Sequence, residues 1–202
     1  MPKNLVFCCI LLFTLNSFSQ RYRDYEVGPM LNYEHTSLYV ANNVFNGADA
    51  EGFANSGFEP NFAAGVYGIY YFRPKMGLGA ELYFQRTTSS ELKEGEYYNS
   101  LTFMPYINFD PFRQIKNIYF GAGIGAAFIQ ESPDYGSSVK EEDVRVITIP
   151  LRISTSYRIR NQITFEVGAQ AELLEVVNGQ VRRNSIYAGI KVPFNRVFGR
   201  YR

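Results

Sequence analysis

Cysteine appears only twice, at Cys8 and Cys9, and histidine only once, at His35. With so few nitrogen and sulfur ligands, a metal would have to rely on carboxylates. The acidic run Glu141, Glu142 and Asp143 reads as a solvated stretch, so neither a metal nor a cofactor is expected. Charged residues are only 19% of the chain and the net charge is +1, which argues against nucleic acid as a partner. After the amino terminus there is no apolar run of about 20 residues, so no transmembrane helix is expected in the mature chain. Glycines at 121, 123 and 125 fall inside an alternating segment rather than at a strand-to-helix turn, which argues against a nucleotide loop. Tryptophan is absent, but 16 Tyr and 17 Phe are present among 202 residues. Seventeen glycines accompany them. That mixture suits an all-β chain with tight turns and aromatic belts.

The amino terminus reads as a targeting segment. Lys3 supplies positive charge, residues 5–15 an apolar stretch, and Ser17-Phe18-Ser19 a small-x-small cleavage site. The expected division is a signal peptide over 1–19 and one domain over 20–202. Cleavage would remove both cysteines, leaving no disulfide framework and no thiol chemistry. Bulky Phe7 before Cys8 argues against a lipidation site.

Residues 62–85 show the pattern that organises the rest. Met76, Leu78, Ala80, Leu82 and Phe84 share one face, and Gly77, Gly79, Glu81, Tyr83 and Gln85 the other. Phe62, Ala64, Val66, Tyr70 and Phe72 repeat the apolar face before a short turn, Arg73-Pro74-Lys75. A period of two marks strands with one apolar side, and the short turn marks an antiparallel hairpin. The same alternation recurs over 25–34, 60–72, 76–88, 101–109, 118–130, 144–157, 163–174 and 185–194. Polar stretches at 36–59, 87–100, 131–143 and 175–183 alternate with shorter turns at 73–75, 110–117 and 158–162. Eight strands of about ten residues match the length needed to cross a bilayer at a tilt, whereas soluble strands run nearer 5–6. One face is apolar and aromatic in all eight; the other is small, polar or charged, as suits the crowded interior of a narrow barrel. The expected fold is all-β: an eight-stranded antiparallel up-and-down transmembrane β-barrel.

Charge supports the topology. The short turns and termini carry Arg21, Arg23, Arg73, Lys75, Arg113, Lys116, Arg158, Arg160 and Arg196. The long loops carry Asp49, Glu51, Glu59, Glu91, Glu94, Glu96, Glu131 and Glu141. Both termini and the short turns are then expected on the periplasmic side of an outer membrane, with acidic loops outside. Pro29, Pro105 and Pro150 fall inside strands, where each removes a ladder donor, so bulges are expected there.

Four phrases carry a family likeness: GLGAELYFQ (77–85), FMPYINF (103–109), IYFGAGIGAAF (118–128) and YAGIKVPF (187–194). They resemble the PorT-like outer-membrane β-barrel family of Gram-negative bacteria. The resemblance implies an eight-stranded barrel, and a tie to protein secretion as in some members; it carries over no site residue. Gly189, Val192 and Phe194 also resemble a carboxy-terminal barrel-assembly signal, followed here by eight further residues.

Six charges fall on the expected lumen face: Glu26, Glu81, Arg152, Glu166, Glu172 and Lys191. Buried charges need partners. Arg152 and Glu166 are expected at similar depth on neighbouring strands, and Lys191 is expected to meet Glu26 where the barrel closes. Glu81 should find Arg152 or Lys191. The expected result is a salt-bridged plug with no sizeable pore; a gate or ion path is the sharper alternative. Arg86, Arg145 and Arg182 point outward by parity near the loop ends and are candidates for lipopolysaccharide phosphates, against ordinary snorkelling. His35, with Ser37, Ser89 or Ser90 and Glu34 or Glu91, can be drawn as an outer-leaflet acyl-transfer triad, although a solvated loop histidine is the plainer reading. No catalytic residue is therefore assigned. The expected partners are outer-membrane lipid, lipopolysaccharide and other envelope proteins. The leading function is a non-enzymatic scaffold or surface-binding protein. The alternatives are an accessory subunit of an envelope secretion or assembly machine, a lipid A acyl-modifying enzyme, and a soluble periplasmic barrel holding an apolar ligand.

Overall fold

Period-two alternation becomes a wall with two chemistries. In a computed structural model the chain forms eleven strand segments: β1 (Tyr25–Ala41), β2 (Phe53–Asn55), β3 (Glu59–Arg73), β4 (Met76–Thr87), β5 (Tyr98–Phe109), β6 (Ile118–Ile124), β7 (Ala126–Ile129), β8 (Ile147–Thr148), β9 (Pro150–Ile159), β10 (Ile163–Glu172) and β11 (Val181–Lys191). The structure describes residues 25–41, 53–55, 59–73, 75–88, 97–111, 117–130, 146–159, 163–174 and 181–194. The targeting segment, Arg145, Ser89, Ser90 and Glu91 lie outside the described residues.

Every neighbouring pair is antiparallel. The ladder runs β1, β3, β4, β5, then β6 with β7, then β9 with β8, then β10 and β11, and β11 pairs back onto β1. The result is a closed eight-stranded antiparallel barrel, with β2 a short addition beside β1. Closure gives each of the eight barrel strands a partner on both sides. Connections at one end span 74–75, 110–117 and 160–162; those at the other span 42–58, 88–97, 130–146 and 173–180.

Large apolar side chains lie outside. Every barrel strand supplies some: Leu31, Phe62, Leu82, Ile107, Phe128, Ile153, Val167 and Ile186 are all exposed. Such a continuous apolar surface would be costly in water and is at rest in hydrocarbon. The interior holds Met30, Ala63, Tyr67, Ile69, Tyr83, Met104 and Tyr106 as one cluster, and beyond it polar and charged groups. Small residues make room for the rings. Gly79 stands opposite Tyr106, and Gly168 opposite Tyr187. A Cβ at Gly79 would meet the Tyr106 ring; one at Gly168 would meet the Tyr187 ring and the Ile153 carbonyl.

Three expectations need correction. The polar segment expected from residue 36 is strand as far as Ala41, because Thr36 to Val40 pair with Ser185 to Val181. Polar composition there marks a rim beyond the apolar band, where water tolerates it, and does not mark a loop. For the same reason β11 starts at Val181, β5 at Tyr98, and β9 runs through Arg158 to Ile159. The expected bulges at the prolines do not occur. Pro29 pairs in register with Val66 and Pro105 with Ala80. Phe103 to Ala126 and Tyr106 to Gly123 keep one register across Pro105, and the two segments β8 and β9 keep theirs across Pro150. A missing donor interrupts the ladder without requiring an inserted residue. A register shift falls instead between Tyr71 and Arg73, beside the β3–β4 turn.

Candidate functional site

Alternation sends every second residue into a lumen too narrow for water to solvate charges, so the charges solvate one another. They form three levels between the short-turn end and the long-connection end.

At the short-turn end, Arg158 of β9 meets Glu26 of β1 at 2.7 Å. Its guanidinium also donates to the Tyr71 hydroxyl and, at 3.3 Å, to that of Tyr119. Both rings face the cation, their centroids 5.3 and 4.8 Å away.

The middle level is the densest. Glu81 of β4 bridges Arg152 of β9 and Lys191 of β11, the latter at 2.7 Å. Lys191 also reaches Glu166 of β10 at 2.5 Å, and the Tyr187 hydroxyl donates to the other oxygen of Glu166 at 2.7 Å. Glu81 is 2% exposed and Lys191 4%. Arg152 lies between the rings of Tyr83 and Tyr187, 5.0 and 4.7 Å from their centroids. Tyr83 donates to Gln170 Oε1 at 2.9 Å, which fixes the ring beside the cation.

Nearer the long connections, Arg183 of β11 donates through Nε and Nη2 to one oxygen of Glu172 on β10, the Nε contact at 3.0 Å. Its third nitrogen is 3.4 Å from Ser100 Oγ and 3.5 Å from Thr87 Oγ1. Glu34 of β1, also buried, accepts from Gln85 Nε2 at 2.6 Å.

The structure thus places Glu26, Glu81, Arg152, Glu166, Glu172 and Lys191 all inside, but two pairings differ from expectation. Lys191 stands opposite Met30, four residues from Glu26, so Glu26 takes Arg158 instead. Gln170, not Glu166, stands opposite Arg152, because β9 continues to Ile159 and shifts the hairpin apex; Arg152 crosses the lumen to Glu81. Two further lumen charges, Arg158 and Arg183, fall by composition in the turn 158–162 and the loop 175–183, yet both are buried inside the barrel. Both share the parity of recognised lumen residues, 152 and 191. Extending the alternation by two residues would have found them.

The side chains fill the space. Among Glu26, Tyr67, Tyr106, Arg158, Glu166 and Lys191 a cavity of about 10 Å³ remains, room for one water. Among the described residues no group of His, Cys, Asp and Glu could hold a metal. Of the residues drawn as a catalytic set, Ser89, Ser90 and Glu91 lie outside the described residues, and Glu34 is parted from His35. Glu34 points into the lumen, whereas His35 lies on the opposite face of β1, its ring 5.0 Å from that of Tyr33. Adjacent strand residues face opposite ways, so the acid cannot orient that histidine.

Of the outward arginines, Arg86 is exposed on β4, 3.9 Å over the Tyr97 ring and 3.5 Å from Asn99 Oδ1. Arg182 is exposed on β11.

No protein-family model matches the chain, and no curated protein matches it. Solved structures do. The class that the fold itself defines is the small closed eight-stranded antiparallel barrel with an apolar outer wall. Neisserial surface protein A is similar with a TM-score of 0.52 and 15% identity, over 83% of this chain and 97% of that one. Ail, the attachment invasion locus protein of Yersinia pestis, gives 0.46 and 12%, over 84% and 98%. The outer membrane protein OprG from Pseudomonas aeruginosa gives 0.38 and 10%, over 83% and 94%. At these identities the likeness concerns the fold.

Proposed function

We propose that this chain is a small, non-enzymatic outer-membrane protein, a structural scaffold or surface-binding barrel whose acidic long loops face outward from the cell. The observation that carries the reading is the inverted barrel: an apolar outer wall around a lumen closed by charge pairs. A soluble ligand carrier would need the opposite, an apolar cavity inside a polar wall. The short turns and both termini then face the periplasm. Arg86, held over Tyr97, and Arg182 are offered to lipopolysaccharide phosphates, with Arg145 as a third candidate. The test is fractionation followed by planar-bilayer recording. The reading requires recovery with outer membranes, extraction only by detergent, and no large steady conductance. Release by salt or carbonate washing would overturn it.

The four phrases that resemble the PorT-like family support a second reading, an accessory part of an envelope secretion or assembly machine. Crosslinking in intact cells separates the two. A stable envelope complex recovered at defined stoichiometry favours the accessory role; a barrel recovered alone favours the scaffold.

A further inference from the structure

The outward face of β10 reads Phe165, Val167, Ala169, Ala171, Leu173. Two successive alanines leave a gap in a row of bulky side chains. Ile153 and Leu151 of β9 stand opposite Ala169 and Ala171 on one side. Ile186 and Asn184 of β11 stand opposite them on the other. The result is a notch of about 310 Å³, lined almost wholly by apolar carbon. Asn184 puts an amide at the end nearer the long connections. Arg182, exposed on the same face, lies one step further, roughly 7 Å along the strand.

We infer that this notch seats one acyl chain of a lipopolysaccharide molecule, with Asn184 and Arg182 at the head-group end. The inference rests on the proposed orientation, which puts the long connections outside. An apolar slot that ends in an amide and then a cation matches an acyl ester that leads to a phosphate. The slot is about one strand wide. A specific protein interface needs about 800 Å² on each partner, far more than these few side chains supply. A thin flexible chain fills such a slot; a rounded protein surface does not. Filling it recovers dispersion contacts that a void forfeits.

The test uses the full-length barrel, purified in mild detergent from lipopolysaccharide-bearing membranes and weighed intact by native mass spectrometry. Outer-membrane fractionation comes first, so that failure of the location is seen separately. Expected is one retained lipopolysaccharide. The double variant Ala169→Leu/Ala171→Phe fills the notch from outside and leaves the lumen untouched. It should lower retention about tenfold, while Ala64→Phe, an equivalent change on the outward face of β3, should leave it unchanged. Arg182→Ala should lower retention in a smaller degree. Re-lipidation of stripped barrel with phosphatidylglycerol alone should give weaker retention than lipopolysaccharide. Equal retention by the filled variant, equal retention of phosphatidylglycerol, or a dimer abolished by the filled variant would each overturn the inference.

Discussion

Arg152 of β9 reaches across the lumen to Glu81 of β4, a residue 71 positions away in the chain. No turn or neighbouring ladder brings the two together; closure of the barrel does. The pair is therefore a reporter of closure. Glu81→Leu leaves Arg152 without its carboxylate and Lys191 with only Glu166. Removal of one partner from a buried pair costs about 3–5 kcal/mol. Urea unfolding in detergent and the heat-dependent gel shift should both move. If neither moves, the lumen network does not stabilise the barrel. Glu81→Leu/Arg152→Leu should be less damaging than the sum of the single changes.

Arg183 and Glu172 form a separate level, so their loss should add to that of Glu81. Arg183→Met keeps the stem and removes the fork. The expected outcome is destabilisation by about 3–5 kcal/mol, roughly additive with Glu81→Leu. Strong non-additivity in a double-mutant cycle would show one continuous network in place of separate levels.

Conduction should be small. The lumen between Arg158 and Lys191 has room for a single water, and three levels of ion pairs fill the path. Liposome-swelling assays with small sugars should give rates at the level of empty vesicles. Swelling comparable to that of a general porin would refute the plug.

The two glycines opposite tyrosines should differ. At Gly79 an added methyl meets the far end of the Tyr106 ring, which can tilt. At Gly168 it meets a backbone carbonyl as well as a ring. Overpacking costs about 1–3 kcal/mol where side chains can adjust. Gly168→Ala should therefore exceed Gly79→Ala in lost stability, measured by urea unfolding. The reverse order would show that the rings, not the wall, set the limit.

Most of the fold was legible because a barrel inverts the usual burial while keeping the period of two. Leu78, Leu82 and Phe84 announce an apolar face whichever way it points. Tyr, Gly and Glu on the other face decide that it is the lumen. The ends of strands were less legible. Thr36, Ser37 and Arg183 are polar residues in regular ladder, and composition cannot separate a solvated rim strand from a loop. Within the candidate site, facing was readable by parity, but partners were not. Glu26 with Arg158 depends on where β9 ends, and Arg152 with Glu81 on the curvature of the closed wall, neither of which lies in local pattern.

Pro105 and Pro150 keep their register, yet neither carries an N–H to give. They flank Gly125, whose amide turns to the Pro150 carbonyl at 2.9 Å. The interruptions on β5, between β6 and β7, and between β8 and β9 thus fall side by side. Two ladder donors are missing from one sector of the wall, and the hydrogen bond from the Gly125 amide to the Pro150 carbonyl carries the ladder across it.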